Sequence, residues 1–262
     1  MIDCHVHTCR CGHAEGDVAA MLQYSETLDV VTFTEHLSLP AGMDPDGEYA
    51  MPPGDVGEYA AEVREAAKSA PTRVLLGVEV DWLDDRVNPE ITTLGDVDVD
   101  LVLGSVHFMG DWVFDDPSRL DEWEGRDIEQ VWRDYFERVV AAAHSGHFDV
   151  MAHTDLVKKF GFRPTDSIIS ALAQEVAAEF KSAGVAYEVS TAGLRKPCGE
   201  LYPSQAFVEA FARAGVPATT GSDAHAPEEL GYHLADAETA LKNAGYTELC
   251  YHVQRERVMV AL

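Results

Sequence analysis

The sequence has no uninterrupted apolar run near the ~18 residues that a membrane-spanning helix needs. Its first residues, Met-Ile-Asp-Cys-His-Val-His, lack the basic start and apolar stretch of a secretory leader. Both absences predict a cytoplasmic protein with no membrane partner. Cysteine is scarce: Cys4, Cys9, Cys11, Cys198 and Cys250 form an odd set in a chain of 262 residues, which needs no disulfides to fold, so reduced thiols are expected. Cys9-Arg10-Cys11 is spaced too tightly for an ordinary thiolate zinc knuckle. Positive charge is also scarce, with 19 Lys and Arg against 46 Asp and Glu and a formal net charge of −27. Nucleic-acid binding depends on Lys and Arg contacts to phosphate, so it is not expected here. The acid excess fits solubility or adaptation to salt. G-x-G-x-x-G and G-x-x-x-x-G-K-[ST] are both missing, which excludes the usual nucleotide loops. No repeat, biased tract or linker divides the chain, so one domain over residues 1–262 is expected.

What is present is a rhythm of short apolar runs and helical stretches. Runs at residues 2–6, 30–34, 74–78, 101–106, 148–152, 185–189 and 217–221 are too short for helices and rich in Val, Leu or aromatics. Each reads as a buried strand. Between them lie amphipathic helices with marked ends. Asp127 opens one carrying Val131, Tyr135 and Val139, stopped by Gly146. Thr165 or Asp166 opens another with Ile168, Leu172, Val176 and Phe180 on one face and Gly184 at its end, and Ser204 and Gly215 bracket a third. The alternation predicts right-handed βαβ units and a parallel sheet. Seven strands predict an α/β fold with a closed or nearly closed barrel; the alternative is an open doubly wound sheet. The tail from residue 249 reads as an eighth strand or an edge strand.

The polar residues that follow these runs carry the chemistry. His5 and His7 end the first, with His13 shortly after; Glu35-His36 ends the second and Glu79-Val80-Asp81 the third. His107 follows the fourth, His153 the fifth, Ser190 and then Arg195 the sixth, and Asp223 with His225 the seventh. Active sites of parallel barrels gather at the carboxyl ends of strands. Seven of the eleven histidines fall there; His144, His147, His233 and His252 do not. Residues i and i+2 of a strand point the same way, so His5 and His7 can grip one ion. Imidazole and carboxylate donors without thiolates suit Zn, Mn or Fe over Mg or Ca. Seven histidines with Glu79 and Asp223 make nine donors, enough for two or three divalent ions at about four ligands each. Asp3, Glu35, Asp81 and Asp155 read equally as orienting partners of ligands or as solvated loop residues.

At His5-x-His7, Glu35-His36, Glu79, His107, His153 and Asp223-x-His225 the sequence resembles the polymerase and histidinol phosphatase (PHP) family. Longer stretches are similar to its histidinol-phosphate phosphatase branch: His7-Thr-Cys-Arg-Cys-Gly-His13, Leu103-Gly-Ser-Val-His107-Phe, Ala152-His-Thr-Asp-Leu-Val-Lys-Lys-Phe160 and Ser190-Thr-Ala-Gly-Leu-Arg195-Lys-Pro. Glu35 and Thr154 depart from that branch, where Asp and Pro are common. The resemblance implies a distorted (β/α)7 TIM-like barrel with a trinuclear site. It implies His5, His7, Glu79 and Asp223 on the first ion, a bridging Glu79 with His107 and His153 on the second, and His13, His36 and His225 on the third. It implies hydrolysis of histidinol phosphate to histidinol and phosphate, a step of histidine biosynthesis, by a metal-bound hydroxide. Three dications against two carboxylate ligands leave about +4, which attracts a phosphate despite the acidic protein. Glu79 and Asp223 then serve catalysis as ligands, Arg195 as a bidentate phosphate clamp and Lys158 at the phosphate rim. Trp112, Phe114 and Asp115 are candidates to meet the amine and imidazole. The opposing reading of Arg195 is a loop residue paired with Glu200.

Three rivals remain in view. Another phosphoesterase of the same family would keep the ligands and take a nucleotide or sugar phosphate. An amidohydrolase-type barrel also begins with His-x-His but uses a bridging Lys, whereas Glu79 holds that place here. An accessory module of a DNA polymerase would carry basic surface, which this chain lacks. A small-molecule phosphomonoester is the expected partner, and the sequence does not fix the oligomeric state.

Overall fold

The computed structural model describes residues 1–262. Seven parallel strands form the barrel wall in chain order: β1 (Ile2–Val6), β2 (Val30–His36), β3 (Arg73–Leu83), β4 (Leu101–Ser105), β5 (Val150–Met151), β6 (Ala186–Ser190) and β7 (Ala218–Gly221). Six helices accompany them: α1 (Val18–Leu22), α2 (Val56–Ala67), α3 (Ile128–His144), α4 (Asp166–Ala183), α5 (Gln205–Ala214) and α6 (Leu234–Ala244). β1, β2, β5, β6 and β7 are buried at every residue. That is why they read as continuous apolar runs rather than alternating ones.

β7 closes on β1 without a full ladder. The His7 N–H donates to the Ala224 carbonyl at 3.0 Å, and Thr220 Oγ1 donates to the Ile2 carbonyl at 2.6 Å. Asp3 reinforces the seam by accepting from the Ser222 amide (2.8 Å), the Ser222 hydroxyl (2.6 Å) and the Gly231 amide (2.9 Å). The barrel is therefore nearly closed, as expected, and the open sheet is set aside.

The helix ends follow their local chemistry. Asp127 accepts from the Gln130 amide, and Gly184 and Gly215 end α4 and α5 with φ of 77° and 70°. On α4 the deepest position of the first turn is Ile169, with Ile168 only partly covered. One cluster of apolar side chains fills the space between wall and helices. Gly104 in β4 leaves room for the Phe148 ring; a Cβ there would lie 2.4 Å from its Cγ.

The tail is neither an eighth barrel strand nor an edge. β8 (Glu248–Val253) and β9 (Glu256–Ala261) pair antiparallel as a separate hairpin, turning through Gln254 and Arg255 at positive φ. Arg255 donates to Asp149 and to the His147 carbonyl, and Arg257 donates to the Gly184 carbonyl. These partners precede β5 and β6, so the hairpin covers the amino ends of the strands. No helix is long and apolar enough to cross a membrane.

His252 of β8 is 2% exposed, and its Nδ1 has no hydrogen-bond partner. Burial, with Arg257 and Arg255 nearby, pushes its pKa down to about 4. The unfolded chain, with an ordinary value near ~6.5, then binds the proton more readily. Stability from this residue is full above ~6.5 and lost as pH falls toward the folded value. Urea unfolding at pH 7 and pH 4.5 should show wild type losing about 2 kcal/mol more than His252→Asn. Equal losses would contradict this account.

Candidate metal centre

The carboxyl ends of the strands converge as expected. Parallel register sets His36 of β2 directly beside Glu79 of β3. His5 and His7, fully buried, rise from β1 and the turn after it. His107 and His153 follow β4 and β5, while Asp223 and His225 follow β7. His13 lies at the exposed mouth, brought back by a turn at Cys9–Cys11 that the Thr8 side chain caps.

Glu79 is the hub, and its two oxygens face different partners. Oε2 lies 3.2 Å from His5 Nε2, 3.3 Å from His7 Nε2 and 3.1 Å from His36 Nδ1. Oε1 lies 3.1 Å from His153 Nε2 and 3.7 Å from His107 Nε2, and it accepts from Ser105 Oγ. Asp223 Oδ1 approaches His7 Nε2 at 3.4 Å and His5 Nε2 at 3.7 Å. Three donor groups result: His5 with His7 and Asp223, His5 with Glu79 and His153, and His36 with Glu79 and His107. Nearer the mouth, His7, His36 and His225 form another group, and His13 Nε2 lies 3.0 Å from His225 Nε2. All nine expected ligands therefore meet in one place.

The far ring nitrogens are held by acceptors. His5 Nδ1 meets Glu188 Oε1 at 2.9 Å, and His107 Nδ1 meets Asp81 Oδ1 at 2.8 Å. His13 Nδ1 meets the Cys11 carbonyl and His225 Nδ1 the Asp223 carbonyl, both at 3.1 Å. An N–H fixed at Nδ1 leaves a lone pair on Nε2. In His13 and His225 these two lone pairs would face each other across 3.0 Å, which only a positive charge between them relieves. His7 is buried with both ring nitrogens lacking hydrogen-bond partners, and unpaired buried donors or acceptors are costly. The donor set fits divalent ions on these grounds.

The electrostatics of the cluster agree. Burial pushes the His5 pKa down, but Glu188, Glu79 and Asp223 overcome it and hold it well above the ordinary value. His7 is likewise raised, against burial, by Asp223, Glu35 and Glu79. Burial would lift Glu79 and Asp223, yet the histidines keep both well below the carboxylate range. Burial and the neighbouring His7 charge depress His13 and His225, and burial depresses His36. Asp81 outweighs burial to raise His107 to about 9. The buried carboxylates thus favour positive charge on the imidazoles around them.

The four open acids are resolved as buried partners. Asp81 orients His107, and Glu35 accepts from the Thr8 amide at 2.9 Å with Oε1 3.4 Å from His7 Nδ1. Asp3 holds the β1–β7 seam. Asp155 pairs with Lys158 at 3.0 Å and accepts from the Ser204 amide at 2.8 Å. Glu188, inside β6, was not singled out from the sequence, although one acid in an apolar run is a signal that a buried partner exists.

A cleft of about 640 Å³ opens above the histidines, lined also by Tyr49, Asp115, Asp116, Lys159, Lys196 and Tyr202. Lys158 does not reach it. The residue is fully buried, and its ammonium is taken by Asp155 and the Leu201 carbonyl, so a rim role at that position is corrected. Arg195 pairs with Glu229 at 3.0 Å rather than with Glu200, and it donates to the Ser222 and Asp223 carbonyls; its Nη1 is buried without a partner. Trp112 and Phe114 pack against Trp123 in the core, while Asp115 reaches the cleft and pairs with Lys159 at 3.0 Å. Cys11 is buried with its thiol 3.9 Å from His13 Nε2, and Cys9 is exposed.

A family model described as PHP domain matches residues 3–192. A probable histidinol-phosphatase of Deinococcus radiodurans is 38% identical over 249 residues, covering 94% of each chain. The histidinol-phosphatase of Bacillus subtilis is 27% identical over 262 residues, 88% of this chain and 95% of that protein. The crystal structure of a histidinol phosphate phosphatase from Lactococcus lactis, complexed with zinc, L-histidinol and phosphate, aligns with a TM-score of 0.80 over 98% of both chains at 18% identity, and so shares the fold.

Glu79→Gln should lower bound metal, measured by elemental analysis after dialysis, by more than one ion per chain, because both histidine sets share that carboxylate. His13→Ala should cost a single ion. Unchanged metal content in the Glu79 variant would refute the hub assignment.

Proposed function

Because this chain belongs to the PHP domain family, we propose that it is a metal-dependent phosphomonoesterase that hydrolyses histidinol phosphate to histidinol and phosphate. One observation carries the chemistry: Glu79 offers one oxygen to His5 and His7 and the other to His107 and His153. The 38% identity over 94% of the chain supports the substrate. The enzyme would act in the cytoplasm on a small molecule, within histidine biosynthesis.

His5, His7, Glu79 and Asp223 would hold one ion, Glu79, His107 and His153 a second, and His13, His36 and His225 a third, each zinc, manganese or iron. When bound, the ions would supply a water that ionises near neutral pH and positive charge for the phosphate oxygens. Glu79 and Asp223 anchor the two sides of that centre. Asp81 and Glu188 keep their imidazoles turned with Nε2 inward. Lys159 and Lys196 stand on the cleft wall and offer the phosphate its cationic contacts, the part expected of Lys158. Arg195 does not line the cleft and is not free to be the bidentate clamp expected of it, since Nε holds Glu229 and Nη2 holds the Ser222 and Asp223 carbonyls; only the unpaired Nη1 would be left for a phosphate oxygen. Asp115 and Asp116 give the same cleft acidic groups to meet an amine or imidazolium.

Steady-state turnover should favour histidinol phosphate over a panel of nucleotide and sugar phosphates by kcat/KM. Activity should vanish on chelation and return with Zn, Mn or Fe. A nucleotide or sugar phosphate as the best substrate would overturn the assignment within the family. Arg195→Ala should reduce kcat/KM by about 10- to 1000-fold with metal content unchanged. Loss of metal in that variant would show that the site depends on its bonds to the Ser222 and Asp223 carbonyls and not on Nη1.

A further inference from the structure

Glu188 belongs to none of the ligand groups. It sits in the middle of β6, fully buried, in a segment otherwise without charge. A carboxylate survives there only if both oxygens are matched. Oε1 accepts from His5 Nδ1 at 2.9 Å, and Oε2 accepts from the His153 backbone N–H at 2.8 Å. These two histidines also meet opposite oxygens of Glu79. Glu79 and Glu188 therefore close a ring through His5 and His153. His153 has a positive φ of 21°, unusual for a side-chain-bearing residue, and its N–H is the one that Glu188 holds. Space for this carboxylate depends on Gly221, at the end of β7. A Cβ there would lie 2.0 Å from Glu188 Oε1 and 2.7 Å from His5 Cβ.

We propose that Glu188 is a positioning residue: it fixes the tautomer of His5 and the spacing of the two histidine sets on either side of Glu79, and so sets the affinity of the two inner metal sites. The outer site of His13, His36 and His225 makes no contact with it. This rests on the metal-centre reading above. A glutamine in its place offers one acceptor and one donor. Either the His5 ring N–H or the His153 amide then loses its acceptor.

The test titrates Zn2+ into metal-free wild type, Glu188→Gln, Gly221→Ala and the double variant against a chromogenic chelator. Circular dichroism and thermal unfolding of the metal-free proteins accompany the titration. Glu188→Gln should weaken two of the bound ions about 10- to 100-fold and leave the remaining one unchanged. Gly221→Ala, whose methyl group would press on Glu188 Oε1 and on His5 Cβ, should weaken the same two ions while every ligand residue stays in place, and the double variant should fall short of the two single effects combined, since both disturb the one Glu188–His5 contact. Should Gly221→Ala fail to fold, Glu188→Gln decides alone. Wild-type affinity at every site in Glu188→Gln overturns the proposal. So does equal weakening at all sites with a lowered melting temperature, which marks a general structural role. A wild type that takes up no zinc sinks the metal-centre reading itself, and is distinct from either of those results.

Discussion

A single buried carboxylate with five imidazoles around it organises this molecule. Glu79 is 1% exposed, and five ring nitrogens lie within 3.1–3.7 Å of its two oxygens. One negative charge in a dry pocket cannot remain unmatched, and one carboxylate cannot satisfy five imidazoles by hydrogen bonds alone. The arrangement is at rest only when positive charge enters it. Protonation of His5 and His7 would do this partially, and the divalent ions of the proposed centre would do so through the inward nitrogens.

The barrel makes that concentration of ligands mechanically possible. Six of the seven strands contribute donors at their carboxyl ends, and helix packing behind the wall holds the ends in register. Around the donors lies a set of acceptors that turn four of the seven rings: Glu188 for His5, Asp81 for His107, and backbone carbonyls for His13 and His225. Lys159 and Lys196 stand on the cleft wall among Glu48, Glu79, Asp81, Asp115, Asp116 and Asp223. In the proposed function the ions would therefore supply the charge that draws a phosphoester into a protein whose overall charge would repel it.

The barrel was legible because its strands are buried on both faces, so each interrupts the polar sequence as an apolar block. Their ends were less so. β2 runs on through Glu35 and His36 because the ladder with β3 continues beneath polar side chains. β5 shrinks to two residues as the chain leaves the wall toward His153. The nine donors were readable from their places after the strands, since few pressures other than metal binding put so many histidines there. Lys158 was misplaced because adjacent lysines in a tight turn point to opposite sides, and only the Asp155 partner reveals which is inward. Trp112 and Phe114 sit in a loop by sequence but pack as core, which depends on Trp123 from a later segment. Glu188 and Gly221 become meaningful only together, as a side chain and the gap it fills.

The seam between β1 and β7 has a temporal meaning. His5 and His7 leave the ribosome more than two hundred residues before Asp223 and His225. The donor group of His5, His7 and Asp223 therefore cannot assemble on a nascent chain until almost the whole barrel has emerged, whereas that of His5, Glu79 and His153 is complete much earlier. In the proposed centre, capture of the ion that spans the seam would belong to the late stages of folding.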